Sequence, residues 1–362
     1  MMKIRRSYID QVRRATSAGD LHHLVQNAIE LEHATIPPYL CGYFTLKPGA
    51  NARVGKIIRS VVIEEMLHMT LASNLLIALG GKPRINSPDF VPDYPGGLPM
   101  GIGDALQVHL RACSIDQVRH VFMAIEEPEE PIDIPVAAKL LAEAPAGAEE
   151  AETFETIGAF YAFLADKIRT LGDSIFTGTA EGQVIATKWF PDPNEMFPIT
   201  DVESACKAIN VIVDQGEGTH TDPFDAQGNP AHFYRFQEIV KGRELVPKPG
   251  AKPPYVYGGK PVAFAPADVW AMDDDPKAAN YRPGSLSRRR ADQFNYSYTM
   301  LLNALHRAFN GEPEQLDAAM GVMYELRVLS QQTLSTPAEW TDASRTETRQ
   351  TGLSFEYQPV NG

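Results

Sequence analysis

The stretch Ile63-Glu64-Glu65-Met66-Leu67-His68-Met69, "IEEMLHM", decides how this chain is read. On a helix, a glutamate three residues ahead of a histidine points within about 60° of it, so both side chains can reach one ion. The same spacing also serves an ordinary salt-bridged polar face. The flanking sequence separates the two. "ARVGKIIRSVVIEEMLHMTLASNLLIALGG" (52–81) has the apolar periodicity of one long helix, stopped by Gly80-Gly81 and then Pro83. Glu65 falls in the row Ile58, Val62, Met69, Ala72 and Leu76; His68 falls in the adjoining row Ile57, Val61, Leu71 and Leu75. Both rows are otherwise apolar apart from Glu64. A carboxylate enters such a surface only with a compensating charge, because an unpaired buried carboxylate costs several kcal/mol or is neutralised by a proton. Of the two glutamates, Glu65 is read as the ligand and Glu64 is not.

Two further segments repeat the anomaly. A helix over 20–47, with Asp20 as its cap, carries Leu21, Leu24, Val25, Ala28, Glu32 and Thr35 on one side. Glu32 is its inward carboxylate, Glu30/His33 reads as a surface or cap pair, and Pro37-Pro38 predicts an end or kink near residues 33–36. A helix starting at Asp201 carries Ala205, Ala208, Ile209, Ile212, Val213, Gly216 and Glu217 on its inner face, followed by His220. His232, opening the next short helix "NPAHFYRFQEIVKG" (229–242), competes with His220 for the same role. E-x-x-H thus occurs three times, at Glu30/His33, Glu65/His68 and Glu217/His220. Carboxylates from separate helices with one imidazole per ion match the recipe of carboxylate-bridged di-iron or di-manganese sites in four-helix bundles.

The remainder is mostly α. "TFETIGAFYAFLADKIRTLG" (153–172) places Ile157, Phe160, Tyr161, Leu164 and Ile168 on one face, and "SIDQVRHVFMAI" (114–125) is a short helix capped by Ser114. "ALQVHLRA" (105–112) alternates like a short strand. Long Pro- and Gly-rich loops occupy 83–104, 174–198 and 246–266, and two amphipathic helices follow at 286–309 and 313–333. We divide the chain into residues 1–245, a helical bundle with the metal site, and 246–362, a Pro-rich connection and C-terminal helices packed on that bundle.

Composition excludes several partners. With 33 basic and 46 acidic side chains the formal charge is -13, which repels nucleic acid and anionic membrane surfaces. Small-molecule partners are expected, with homo-oligomerisation left open. Cys41, Cys113 and Cys206 form no C-x-x-C and read as reduced thiols. The start, "MMKIRRSYID", has no apolar targeting core and no run reaches the roughly 18 apolar residues of a membrane span, so a cytoplasmic location is expected. Phosphate-binding, nucleophile-elbow and H-E-x-x-H motifs are absent from the sequence.

"AIELEHATIPPYL" (28–40), "EEMLHMTLASNLLIALGG" (64–81), "TIGAFY" (156–161), "DQGEGT" (214–219) and "AHFYRF" (231–236) resemble the ferritin-like domain of the iminophenylpyruvate dimer synthase type, found in imine-dimerising enzymes of violacein and rebeccamycin biosynthesis. The resemblance runs from about residue 20 to 245 and extends to "FNYSYTMLLNALHRAFNG" (294–311). It implies a ferritin-like four-helix bundle, iron as cofactor, and oxidative coupling of two imines of aromatic 2-oxo acids, with Glu32, Glu65, His68 and Glu217 at matching positions. One departure is chemical: "TIGAFYAF" has no carboxylate on its apolar face where a ferritin-like site carries one, and Glu126 in "AIEEPEEP" is the alternative source. No counterpart of the additional domain of the larger pathway enzymes is expected. The leading reading is a ferritin-like bundle with a di-iron site that acts with O2 on a small organic substrate. Its ligands would be Glu32, Glu65, His68, Glu217 and either His220 or His232, with manganese as the other metal choice. Tyr39 and Tyr161 are candidates to line the site. The competing reading is a degenerate ferritin-like scaffold that binds a ligand or partner without redox turnover.

Overall fold

The computed structural model describes residues 6–101, 106–128, 131–136, 157–218 and 222–359. After a short helix α1 (Arg6–Arg14), the long helix α2 (Ala18–Thr45) opens on a capping box: the Ser17 hydroxyl accepts from the Asp20 amide and the Asp20 carboxylate accepts from the Ser17 amide. Ser17, not Asp20, is therefore the cap. The helix does not end at Pro37-Pro38, and α2 continues to Thr45. Those prolines cannot donate to the carbonyls one turn earlier. The Ala34 carbonyl instead accepts from the Tyr94 hydroxyl at 2.9 Å, so the helix continues with the loop supplying the missing donor.

α3 (Ala52–Ala78) closes where Gly80 and Gly81 donate their amides back to Ile77 and Leu76, both at 2.9 Å. It runs antiparallel to α2: His22 Nε2 lies 2.9 Å from the Leu79 carbonyl, and Gln26 Nε2 donates to the Arg84 carbonyl at 2.8 Å. Among the described residues α3 is the one helix long and apolar enough to cross a membrane, and 83% of its most apolar window is buried inside the fold. It is a core helix here.

Between α3 and the second half of the bundle, residues 106–112 form no strand; Val108 makes an isolated bridge to Gly96. The Ser114 hydroxyl then accepts from the Gln117 amide at 3.0 Å and starts α4 (Ile115–Gln117), which passes through a π-helical turn, Val118–Phe122, into α5 (Met123–Ile125). The wider turn rotates the following residues onto a new face. It seats the Phe122 ring 4.9 Å from Tyr39 of α2 and 5.2 Å from Phe236. Gly42 of α2 makes room for that ring, since a Cβ there would lie 2.7 Å from Phe122 Cζ.

α6 (Ile157–Leu171) packs on α7 (Val202–Glu217), which packs on α3 and completes the four-helix arrangement. Asp201 caps α7 as expected, in a second capping box with Ser204. α8 (His232–Lys241) lies against α3, α7 and the π turn. The residues just after α8 and the 246–266 connection form an antiparallel pair that the sequence reading did not predict, β1 (Arg243–Pro247) with β2 (Tyr255–Pro261). Proline and glycine around and within the pair hide its alternation from a sequence reading. α9 (Leu286–Ala308) and α10 (Gln315–Leu334) form a helical hairpin seated on α2, where Gln331 Nε2 donates to the Phe44 carbonyl at 2.7 Å. The three cysteines are buried free thiols.

His33 departs from its reading as a surface or cap partner of Glu30. It is 3% exposed, its Nε2 lies 2.7 Å from the Tyr298 hydroxyl of α9, and its ring stands 4.4 Å from Phe90. Burial pushes its imidazole pKa down to about 3. The unfolded chain takes up a proton near pH 6.5 that the folded chain refuses until about pH 3, so this group withdraws stability as pH falls through that window. Wild type is expected to lose about 2 kcal/mol relative to His33→Gln between pH 7 and pH 5 in urea titrations. A constant difference between the two proteins would contradict a neutral buried His33.

Candidate metal centre

Two groups of buried donor atoms share one carboxylate. Glu32, Glu65 and His68 form the first, and Glu65, Glu126 and His232 the second; within each, the donor atoms lie within 4.8 Å of one another. α2 presents Glu32, α3 presents Glu65 and His68 one turn apart, Glu126 follows α5, and His232 opens α8. None of the five is more than 9% exposed. Glu65 Oε1 lies 2.8 Å from His232 Nδ1 and 3.9 Å from His68 Nδ1. His68 Nδ1 is 3.5 Å from Glu32 Oε2, and His232 Nδ1 is 3.4 Å from Glu126 Oε2. The two imidazoles face each other with centroids 5.4 Å apart and planes 23° from parallel.

Surrounding groups fix which atoms face inward. The Thr35 hydroxyl donates to Glu65 Oε2 at 2.8 Å, leaving Oε1 for the imidazoles. Tyr161 donates its hydroxyl to Glu32 Oε1, and Tyr39 donates to Glu126 Oε1. His232 Nε2 is held 2.9 Å from Glu64 Oε2, and Glu64 is anchored in turn by Arg235 Nη1 at 2.7 Å. His68 Nε2 lies 2.9 Å from Gln215 Oε1, while Gln215 Nε2 donates to Glu195 Oε1 at 2.8 Å. A carboxylate accepts only, so the Gln215 amide must turn its oxygen to His68, and both imidazoles carry their outer proton on Nε2. Nδ1 of each is left pointing at the carboxylates. His232 Nδ1 lies 2.8 Å from Glu65 and 3.4 Å from Glu126, so it can hold a proton between the two carboxylates or, without that proton, turn its lone pair to a cation.

The electrostatics agree. Burial and the neighbouring Glu126 push the Glu65 carboxyl up to about 7. Burial opposes charging of His232, but Glu126, Glu64 and Glu65 together hold its pKa well above the ordinary value. Without a cation the cluster must therefore keep protons among its carboxylates and imidazoles. Glu64 goes the other way: burial would raise it, yet hydrogen bonds from His232 and Arg235 hold it down to about 2. It is a fixed anion behind His232. Oxygen donors with one imidazole per group and closed outer partners fit a divalent metal ion on each group, with Glu65 between them.

The structure thus gathers four of the expected ligands, Glu32, Glu65, His68 and His232. His220 lies outside the described residues. Glu217 lines a cavity of about 40 Å³ beside Glu32, Glu65, His68 and Glu126, but falls in neither group; its Oε1 accepts from the Gly158 amide in the first turn of α6 at 2.8 Å. That hydrogen bond turns Glu217 toward α6. The carboxylate expected from α6 is replaced by the Tyr161 hydroxyl, and Glu126 supplies the acid. Tyr39 and Tyr161, candidates to line the site, donate to its carboxylates, and Thr35, on the same side of α2 as Glu32, donates to Glu65. Gln215 is not singled out by the sequence reading, although it lies three residues after Ile212 on the α7 stripe.

Residues 25–241 match the ferritin-like family. Dichlorochromopyrrolate synthase of Lentzea aerocolonigenes is 25% identical over 289 residues, covering 73% of this chain and 26% of the relative. The chain therefore spans about a quarter of that protein's length. The crystal structure of a ferritin-like protein from Caulobacter vibrioides superposes with a TM-score of 0.56 at 22% identity, covering 93% of this chain and 97% of that one, a likeness of fold.

Gly158 tests the packing around Glu217. A Cβ there would lie 2.6 Å from Glu217 Oε2, the tip of a flexible side chain, so Gly158→Ala should displace that carboxylate from the Gly158 amide at a cost of no more than about 1 kcal/mol in urea unfolding. Glu217→Ala in the same chain should relieve part of that cost, and strictly additive effects would show that the two do not press on each other.

Proposed function

Because the chain belongs to the ferritin-like family, we propose that the paired groups sharing Glu65 hold two iron ions and that the protein is an oxidase acting with O2 on a small organic substrate. The observation that carries this is the shared carboxylate, with one histidine on either side offering Nδ1. Iron bound there supplies sites for O2 and the electrons that reduce it. Glu32 and Glu126 would each serve one ion from the outside, oriented by Tyr161 and Tyr39. Glu64 with Arg235, and Gln215 with Glu195, keep both imidazoles turned inward through a reaction cycle. Thr35 holds Glu65 in the shared orientation. The 40 Å³ cavity at the cluster has room for O2 or one to two waters. Glu126 offers the carboxylate that the apolar face of α6 lacks, which supports the redox reading over a scaffold without turnover.

The name of the relative, dichlorochromopyrrolate synthase, supports oxidative coupling of aromatic 2-oxo acid imines as the first reaction to try. The match covers only 26% of that protein, so other small oxidisable substrates belong in the same screen.

Anaerobic loading with Fe(II) should leave about two irons per chain by elemental analysis, and Glu65→Ala should retain only a trace. The ferrous protein should consume O2 faster than the same concentration of free iron. Equal rates, or Glu65→Ala with undiminished metal, would sink the proposal. Glu64→Gln should still fold and bind metal but with about 10–100-fold lower affinity, the usual size of an outer-partner loss, in a competition titration with a chelator.

A further inference from the structure

A second, mostly apolar cavity lies away from the cluster. It sits on the face of α2 and α3 that meets α9 and α10, is partly open and measures about 310 Å³. Close-packed interiors leave few voids larger than a water, and ligand pockets begin near this size. Its walls include Met66, Met69, Met320 and Met323, whose flexible thioethers adapt to varied apolar shapes. Its polar groups stand at two ends.

At the floor, His33 and Tyr298 are bonded to each other and both are buried. Among the described residues the Tyr298 hydroxyl has no other acceptor. If it donates to His33 Nε2, the imidazole proton sits on Nδ1, and that buried nitrogen has no partner among the described residues. The opposite tautomer would leave both the Tyr298 proton and the Nδ1 lone pair unused, which costs more. His33 lines the cavity and thus brings a buried, unpartnered N–H donor to its wall. At the mouth, Arg59 and Arg327 are exposed; no ion pair is recorded for either among the described residues, and Arg327 rests 5.5 Å over the Tyr43 ring. Thr35 of α2 is level with Glu65 of α3, to which it donates, so in this antiparallel pair His33 stands near residue 67 and Arg59 about 12 Å further along at a rise of about 1.5 Å per residue.

We propose that this cavity binds an amphipathic monocarboxylate: the carboxylate at Arg59 and Arg327, an apolar body among the methionines, and a distal carbonyl oxygen accepting from His33 Nδ1. A charged carboxylate belongs at the wet mouth, where Arg59 and Arg327 can pair with it, and a neutral oxygen at the dry floor, because an unpaired buried carboxylate is costly. α2 then serves two sites with consecutive residues, Glu32 toward the cluster and His33 toward the cavity. This inference does not rest on the iron reading, since binding is measured directly and metal content is determined in every sample.

The probe is 9-oxodecanoate, titrated calorimetrically into the full chain and followed by the fluorescence of Trp189, which lines the cavity. One molecule per chain should bind, with decanoate and decan-2-one each at least threefold weaker. His33→Leu should erase the advantage over decanoate, and Arg59→Gln with Arg327→Gln the advantage over decan-2-one. Met320→Trp, which fills the cavity from α10, should weaken all three at least tenfold while circular dichroism and metal content stay at wild-type values. Absent saturable binding, undiminished binding to Met320→Trp, or equal affinity for all three probes would overturn the proposal. So would a dimer that binds no probe and dissociates in Met320→Trp, which would assign the cavity to a second copy of the chain.

Discussion

Three carboxylates, Glu32, Glu65 and Glu126, are brought together in the core, and much of the local architecture answers that one constraint. Each such group costs several kcal/mol unless it is compensated. Part of the compensation is local: Thr35, Tyr39 and Tyr161 donate hydroxyls to three different glutamates. Part is charge: in the metal-free cluster the carboxylates raise the pKa of His232, and Arg235 pairs with Glu64 behind it. The remainder is what a divalent ion on each group would supply. The outer partners matter as much as the ligands, because without Glu64 and Gln215 neither imidazole would have a reason to present Nδ1.

The way Glu126 arrives shows how a bundle can change the source of a ligand. α6, which might have carried the acid, instead packs Gly158 against Glu217 and contributes Tyr161. The acid comes from a short helical segment outside the four long helices. Its π turn and the ring contacts of Phe122 with Tyr39 and Phe236 aim it. Gly42 is a condition of that arrangement, because any side chain there would occupy the Phe122 ring position. The aromatic triangle also ties α8 to α2, so His232 and Glu126 are positioned by the same packing.

α2 is the element that joins the two halves of the molecule. It stays continuous through two prolines because Tyr94 satisfies the freed Ala34 carbonyl. A break there would separate Glu32 and Thr35 from Tyr39 and Gly42, and with them the two sides of the cluster. The opposite face of the same helix meets the hairpin of α9 and α10 and closes the apolar cavity over His33.

The sequence by itself determined the long helices, their inner faces, and the anomaly of glutamate and histidine on apolar rows. These are properties of spacing: a 3.6-residue period either does or does not put Glu32, Glu65 and His68 on a buried stripe. The stop of α3 at Gly80-Gly81 and the cap at Asp201 were legible for the same reason, each being set within a few residues. Tertiary structure alone decided that His232 joins the second group, that Glu126 rather than an α6 residue completes it, that Glu217 caps α6, and that His33 is buried against Tyr298. Each of these joins residues far apart in the chain, and their approach depends on how helices and loops pack rather than on any local period. The persistence of α2 through Pro37-Pro38 belongs with them, since the hydrogen bond that permits it comes from Tyr94, 60 residues from Ala34.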